Sequence, residues 1–386
     1  MIERKLLLGD EAIALGAVHA GISGVYAYPG TPSTEITEYI QGHAQEVRSR
    51  WCTNEKTAME AALGMSYAGK RALVCMKHVG MNVAADAFVN SAITGVNGGL
   101  VVLAADDPSM HSSQNEQDSR FYGKFAMIPI LEPSTQQEAY DMMKYAYALS
   151  EEKKLPVLLR VVTRLAHSRA GVVVNDLIPQ NALNPDKERT WVLLPAIARR
   201  QYASLVAKQP ELVESSEHSP YNGMNAFEGK AKLGVIACGI GYNYVMENDP
   251  QSLGIPVLKV SQYPLPEASI KALAAQCESL LVAEDGQPLV EEQVKAILGA
   301  DYALKGRLTG DLPRMGELTP DCVGAALGVN IEQPYTEAQN VMPRPPALCQ
   351  GCGHRDVYDA LNKVAAEYEG ARIFGDIGCY TLGALP

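Results

Sequence analysis

An acid stands where a short run of chain hands over to a helix: Glu55, in Thr53-Asn54-Glu55-Lys56-Thr57-Ala58-Met59-Glu60. A carboxylate held there in a dry pocket can accept a hydrogen bond from a heterocycle's ring nitrogen. It thereby selects one tautomer of the ring, and the low local dielectric strengthens the bond. The same position also suits a plain helix-start acid favoured by the helix dipole, and local spacing leaves both readings open. Glu60, one turn on, reads as helix surface. Upstream, Tyr28-Pro29-Gly30-Thr31-Pro32-Ser33 closes another apolar run. Thr31 suits a helix cap, with Pro32 at the first helical position. Hydroxyls and free amides at such a start also receive carboxylates or phosphates, so Thr31 and Ser33 are either caps or anion contacts.

Four further stretches are candidates for chemistry. Arg120 ends a long polar run from Met110, after a buried strand, where α/β folds place ligand contacts. Arg suits bidentate carboxylate recognition; the alternative is a solvated loop whose charges pair with one another. Gly239-Ile240-Gly241 has Tyr244 where a dinucleotide fingerprint needs its third glycine, and no acid ends the following strand. It reads as a tight turn rather than a nicotinamide site. Cys349-Gln350-Gly351-Cys352-Gly353-His354 invites a metal reading, but a structural zinc site needs four ligands. The nearest spare thiols, Cys322 and Cys379, form no second pair. The interleaved glycines favour a tight loop that approaches an anionic ligand closely. Gly375-Asp376-Ile377-Gly378-Cys379 follows a strand-like run and reads as a strand-end loop at a ligand crevice.

These residues must be held by an α/β framework. Residues 1–175 alternate strand-like and helix-like segments. Residues 24–28, 71–76, 99–105 and 155–162 read as strands, 81–94 as a helix, and Ser134 with Gln137 as a capping box opening a helix to about Glu152. Such repeats favour a parallel sheet flanked by helices. Residues 176–230, broken by Pro179, Pro185, Pro195, Pro210 and Pro220, read as a surface linker carrying one helix, 196–207. Residues 231–330 resume the α/β pattern, with strands at 233–238, 255–260 and 279–284. Residues 335–386 open a third unit with a helix over 356–367 and a strand over 371–374. One helix and one strand cannot bury a core, so the rest of that unit is expected beyond residue 386.

The 386 residues are 47% hydrophobic and 20% charged, an ordinary globular balance. A net charge of −11 without a long basic run argues against nucleic acid or an anionic membrane as the main partner. No apolar stretch reaches about 18 residues, and the N-terminal apolar run is too short for a signal-peptide core. With eight mostly scattered cysteines, this predicts reduced thiols and a cytoplasmic location.

Taken in order along the chain, the motifs resemble those of the 2-oxoacid:ferredoxin oxidoreductases, most closely the large subunit of the indolepyruvate type. The matching stretches are Tyr28 to Ser33, Asn54-Glu55-Lys56 with Ala58, Ser113 to Tyr122, Cys349 to Arg355, and Gly375 to Tyr380. The resemblance implies a thiamine diphosphate-binding fold of three modules: a pyrimidine-binding domain, a domain like the C-terminal one of transketolase, and the opening of a diphosphate-binding domain. It implies a catalytic Glu55 holding the cofactor's imino tautomer, so that a C2 carbanion forms. Tyr28 and Thr31 are then substrate contacts, and Gly351, Cys352, Gly353, His354, Gly375, Asp376, Gly378 and Cys379 line the cofactor. Arg120 as a partner of the substrate carboxylate is read from its residue type. No metal ligand is assigned within these residues; Mg²⁺ ligands and the [4Fe–4S] clusters usual in the family are expected beyond residue 386. The implied activity is oxidative decarboxylation of arylpyruvates to acyl-CoA, with electrons passed to ferredoxin. The implied partners are a second copy of the chain, a smaller beta subunit, ferredoxin, coenzyme A and a 2-oxoacid. The alternatives are a pyruvate or 2-oxoglutarate oxidoreductase of the same family, and a non-catalytic scaffold binding metal through Cys349, Cys352 and His354.

Overall fold

The computed structural model describes residues 3–185, 191–331, 340, 342, 347–375 and 378–384. Two units are distinguished, residues 1–331 and 332–386. The first is built on a seven-stranded sheet in the order Gln262–Tyr263, Ile130–Leu131, Val157–Val162, Leu100–Asp106, Ala72–Lys77, Gly24–Ala27, Arg48–Trp51. All neighbours are parallel except Gln262–Tyr263, which adds antiparallel to Ile130–Leu131.

The inner strands read as continuous apolar runs because both faces of the sheet are covered. Alternate residues divide between two cores. Val74, Met76, Val102 and Ala104 pack with Met59 and Phe88, from the helices Glu55–Tyr67 and His78–Thr94. Leu73, Cys75, Val101 and Leu103 pack with Ile13, Ile36, Met143 and Tyr147, from the helices Gly9–His19, Thr34–His43 and Gln136–Lys153. The register fixes the strand ends: Val25 faces Leu73, Leu73 faces Val101, and Leu103 faces Leu159.

A second sheet runs Ala303–Lys305, Cys277–Ala283, Ala231–Cys238, Val257–Val260, Gly223–Met224, parallel except for the last strand. A small antiparallel pair joins Arg4–Leu8 to Arg169–Val173.

Several expectations are corrected. The 176–230 stretch carries two helices, Pro195–Ala207 and Gln209–Glu217, because Leu205 and Leu212 find buried positions. It is also no free linker: Ser23 Oγ donates to Gln180 Oε1 at 2.9 Å, and Asn181 Nδ2 donates to Glu151 at 2.8 Å. The capping box expected at Ser134 and Gln137 does not form. Thr135 is the cap, accepting from Glu138 N at 3.2 Å, while Glu138 Oε2 accepts from Ser134 N at 2.8 Å. Thr31 does not cap a helix; that helix starts at Thr34, after a cis Thr31–Pro32 turn. Residues 371–374 form no strand, as no neighbouring strand is present among the described residues of their unit.

Candidate active site

The C-terminal ends of parallel strands form the usual ligand crevice of such sheets. Four of them meet here. Gly24–Ala27 runs into the Tyr28–Ser33 turn, Arg48–Trp51 into Asn54 and Glu55, Ala72–Lys77 into His78, and Leu100–Asp106 into Asp107.

Glu55 is the first residue of its helix. Asn54 caps it, its side chain accepting from Thr57 N at 2.9 Å. The Glu55 side chain turns inward, leaving the residue only 9% exposed. Gly80, in the first turn of the neighbouring helix, makes the room. A Cβ there would lie 2.6 Å from both Cγ and Oε1 of Glu55. Burial pushes the Glu55 carboxyl above its ordinary range, opposed by its own backbone N–H. Among the described residues, no side chain donates a hydrogen bond to it. A buried carboxylate met only by a backbone N–H is costly, and a ring N–H arriving at that spot would relieve the cost. The residues present therefore fit the aminopyrimidine of a thiamine cofactor at Glu55.

The Tyr28–Ser33 turn lies beside this notch. Tyr28 and Thr31 are exposed. The turn is closed by Ser33 N and Oγ, both donating to Gly30 O at 2.9 Å, and by Gly30 N donating to Thr34 Oγ1 at 2.9 Å. Gly30 rests against Lys77, where a Cβ would meet Lys77 Cβ at 3.1 Å. Lys77 and His78 link the turn to Gly80. Lys77 Nζ donates to Ser112 O at 2.7 Å, and burial lowers its pKa against the pull of Asp107. His78 is fully buried, and burial lowers its pKa too, keeping the ring neutral. Its Nε2 lies 3.1 Å from Asn115 O, which makes Nε2 the protonated nitrogen and leaves Nδ1 an unpartnered acceptor. Sequence reasoning missed both residues. Their signal was a Lys-His pair directly after the apolar run Leu73 to Met76.

Arg120 is not part of this crevice as a free guanidinium. It is 0% exposed at the start of the Arg120–Ala126 helix. Its Nη2 lies 2.5 Å from Asp118 Oδ2 and 2.9 Å from Glu284 Oε2, and donates to Gln287 O at 3.0 Å. Beside it, Arg160 bonds Asp106 at 2.6 Å, Asp285 O at 2.7 Å, and Glu132. Arg307 lies 3.2 Å from Asp285 Oδ1 and donates to Glu284 O at 2.9 Å. Burial works against ionisation of Asp118, Glu284 and Asp285. The Arg120 and Arg160 charges nevertheless hold Asp118 down at about 2, while Glu284 rises to about 7 and Asp285 to about 6. Sequence placed Arg120 in a polar loop and inferred a carboxylate ligand. The carboxylates it meets are the protein's own, supplied from both sheets.

Cys352 precedes the helix Gly353–Ala365, with its Sγ 3.2 Å from His354 Nδ1. The His354 ring meets Tyr380 edge-on at 4.7 Å, and Tyr358 OH donates to Tyr380 O at 2.6 Å. These contacts bring the Cys352–His354 loop and the segment around Gly378 and Cys379 together. Gly351 at φ +71° and Gly378 at φ +123° supply backbone that other residues adopt only with strain. Gly353 is the first residue of that helix, Gly375 lies three residues before Gly378, and Asp376 lies outside the described residues.

Residues 15–210 match the family model described as pyruvate flavodoxin/ferredoxin oxidoreductase, thiamine diphosphate-binding. The indolepyruvate oxidoreductase subunit IorA of Archaeoglobus fulgidus is 42% identical over 99% of this chain and 64% of its own length. The protein of the same name from Pyrococcus abyssi is 41% identical over 100% and 63%. The chain thus spans just under two thirds of these relatives. A 2-oxoglutarate synthase subunit KorA from Methanocaldococcus jannaschii is 26% identical over 45% of the chain. Among solved structures, a 2-oxoglutarate:ferredoxin oxidoreductase from Magnetococcus marinus superposes with TM-score 0.67 at 16% identity, covering 85% of this chain and 65% of that one. A split-gene transketolase superposes with TM-score 0.54 at 15% identity, covering 83% and 97%. The two structures share the thiamine diphosphate-binding α/β fold with this chain.

Proposed function

Since the chain belongs to the pyruvate flavodoxin/ferredoxin oxidoreductase family of thiamine diphosphate-binding proteins, we propose that the whole protein oxidatively decarboxylates arylpyruvates of the indolepyruvate type, forming acyl-CoA and passing electrons to ferredoxin. The observation that carries the reading is the buried Glu55 carboxylate in the notch opened by Gly80, to which no side chain among the described residues donates, at the C-terminal edge of a parallel sheet. The arylpyruvate preference is supported by relatives about 40% identical over the whole chain, against 26% over less than half of it for the 2-oxoglutarate type.

When bound, thiamine diphosphate supplies an electron sink for the pair released as carbon dioxide departs. The chain's own groups do the rest. Glu55 accepts a hydrogen bond from a ring N–H and holds one tautomer, a bond made strong by burial. Gly80 leaves the carboxylate its space. The exposed Thr31 hydroxyl, on a turn braced by Ser33 and Thr34, receives the substrate's carboxylate end beside Tyr28. Lys77, whose aliphatic stem the turn rests on, adds a positive charge next to that anion.

On this reading residues 1–175 bind the pyrimidine, 231–330 form the transketolase-like domain, and 335–386 serve the diphosphate side. Gly351, Cys352, Gly353, His354, Gly375, Asp376, Gly378 and Cys379 line it. Mg²⁺, [4Fe–4S] clusters, a beta subunit, a second copy of this chain, ferredoxin and coenzyme A complete the assembly, in the cytoplasm. Among the described residues, no helix is long and apolar enough to cross a membrane.

Glu55→Ala in the complete enzyme is expected to lower indolepyruvate decarboxylation by at least about 100-fold, the lower end for loss of a positioned acid–base group. Its circular dichroism should not change. Near-normal turnover in that variant would overturn the assignment, and a faster reaction of the intact enzyme with pyruvate or 2-oxoglutarate would reassign the substrate.

A further inference from the structure

Away from the Glu55 notch, three side chains that ligate metals converge without a described reason to do so. Asp10 is the second residue of the Gly9–His19 helix, and His167 ends the Thr163–His167 helix. Gly9 brings the two helices together. A Cβ there would fall 2.1 Å from Leu165 O, and Gly9 N donates to Ser168 O at 3.1 Å. Glu35 comes from the first turn of the Thr34–His43 helix. His167 Nε2 lies 3.8 Å from Asp10 Oδ2 and 3.6 Å from Glu35 Oε1, and one ligating atom from each residue lies within 4.8 Å of the other two.

Asp10 is the telling member. It is 0% exposed, and neither carboxylate oxygen has a hydrogen-bond partner; Glu35 Oε2 has none either. Burial and the charges of Glu35 and Glu11 all oppose its ionisation. Glu11 turns away, its Oε2 accepting from Leu8 N at 2.8 Å. The Glu35 and His167 side chains are 38% and 36% exposed. The cluster is therefore a buried carboxylate floor with an open rim.

We propose that Asp10, Glu35 and His167 bind one divalent first-row transition cation. A tetrahedral ion with bonds of about 2.0–2.2 Å holds its ligand atoms about 3.4 Å apart, and the 3.6 and 3.8 Å separations need only a small contraction. An imidazole beside two carboxylates favours Mn²⁺, Fe²⁺ or Zn²⁺ over Ca²⁺ and Mg²⁺, which take oxygen ligands. Water completes the sphere at the open rim. The bound ion satisfies the orphaned oxygens of Asp10 and ties together three helices, one of which follows directly on the Thr31 turn.

The test uses the full chain, stripped with chelator and free of thiamine diphosphate, titrated with Mn²⁺. Manganese avoids thiolates such as Cys349 and Cys352. Free Mn²⁺ is followed by electron paramagnetic resonance, and thermal unfolding is followed in parallel. Retention of one Mn²⁺ per chain and a raised melting temperature are expected. Asp10→Asn should weaken retention at least tenfold and abolish the thermal shift. His167→Gln, at the exposed rim, should do the same and remains informative if the buried variant fails to fold. No retention by the unaltered chain, or equal retention by it and by His167→Gln, overturns the proposal.

Discussion

At the scale of single residues, Glu55 and Gly80 act as one device. At Glu55 the hand-over to a helix was legible in the sequence, while the carboxylate's role stayed open between a ring contact and a plain helix-start acid. Gly80 was not legible, since a glycine inside a helix announces nothing until a neighbour's carboxylate is seen occupying its missing Cβ. Arg120 shows the opposite failure. A polar stretch looks the same in sequence whether its charges face water or one another, and here they face one another in a site closed to solvent. The raised pKa of Glu55 has a consequence for stability. Its folded value lies above the ordinary 4.5, so ionisation is dearer in the folded chain. The stability Glu55 contributes is complete below about pH 4.5 and is lost as pH rises through its folded value. Glu55→Gln carries no charge, so it should be more stable than the unaltered chain at pH 8, with the gap closing as pH falls toward 4.5. Denaturant midpoints at several pH values without cofactor would show this; a gap that widens toward acid would refute it.

At the scale of elements, the inner strands were legible because burial on both faces writes them as unbroken apolar runs. Arg48–Trp51 was legible only as the hand-over into the Glu55 helix and without bounds, because an edge strand rich in charge carries no such run. Gln262–Tyr263 was invisible because two residues are too few for a pattern. What fastens the two sheets was not legible either. Arg160, on the strand Val157–Val162, reaches Asp106 and Glu132 on one side and Asp285 O on the other, all buried. Removing one partner from a buried ion pair leaves an uncompensated charge, at a cost of about 3–5 kcal/mol. Arg160→Met should therefore lower unfolding stability by about that amount, read from urea curves. A loss under about 1 kcal/mol would mean that the acids are protonated and the network is not ionic.

At the scale of the whole molecule, the two units differ in how they meet water. In residues 1–331, strands and helices close over continuous cores. The helix Gly353–Ala365 has no buried residue; Val357, Leu361 and Val364, spaced four and three apart, form an exposed apolar stripe on it. Such a stripe seeks cover from another surface. The 386-residue chain should therefore self-associate as concentration rises. Leu361→Lys with Val364→Ser should suppress the association in sedimentation velocity, and unchanged association would place the contact elsewhere.

The edge of the first sheet also sets an order of events during synthesis. Ile130–Leu131 is covered by Gln262–Tyr263, whose hydroxyl on Tyr263 donates to Glu132 Oε2 at 2.6 Å, while Asp285 O receives Arg160 from still further along. A nascent chain that has emerged only as far as residue 230 presents that strand bare and holds Arg120 without Glu284 and Gln287 O, and Arg160 without Asp285 O. An open strand edge is what other unfinished chains pair with. The first sheet and the second are therefore one translational unit. A gene divided between them would release an amino-terminal half prone to aggregate, whereas the stretch after Ile331 can be severed without opening the sheet.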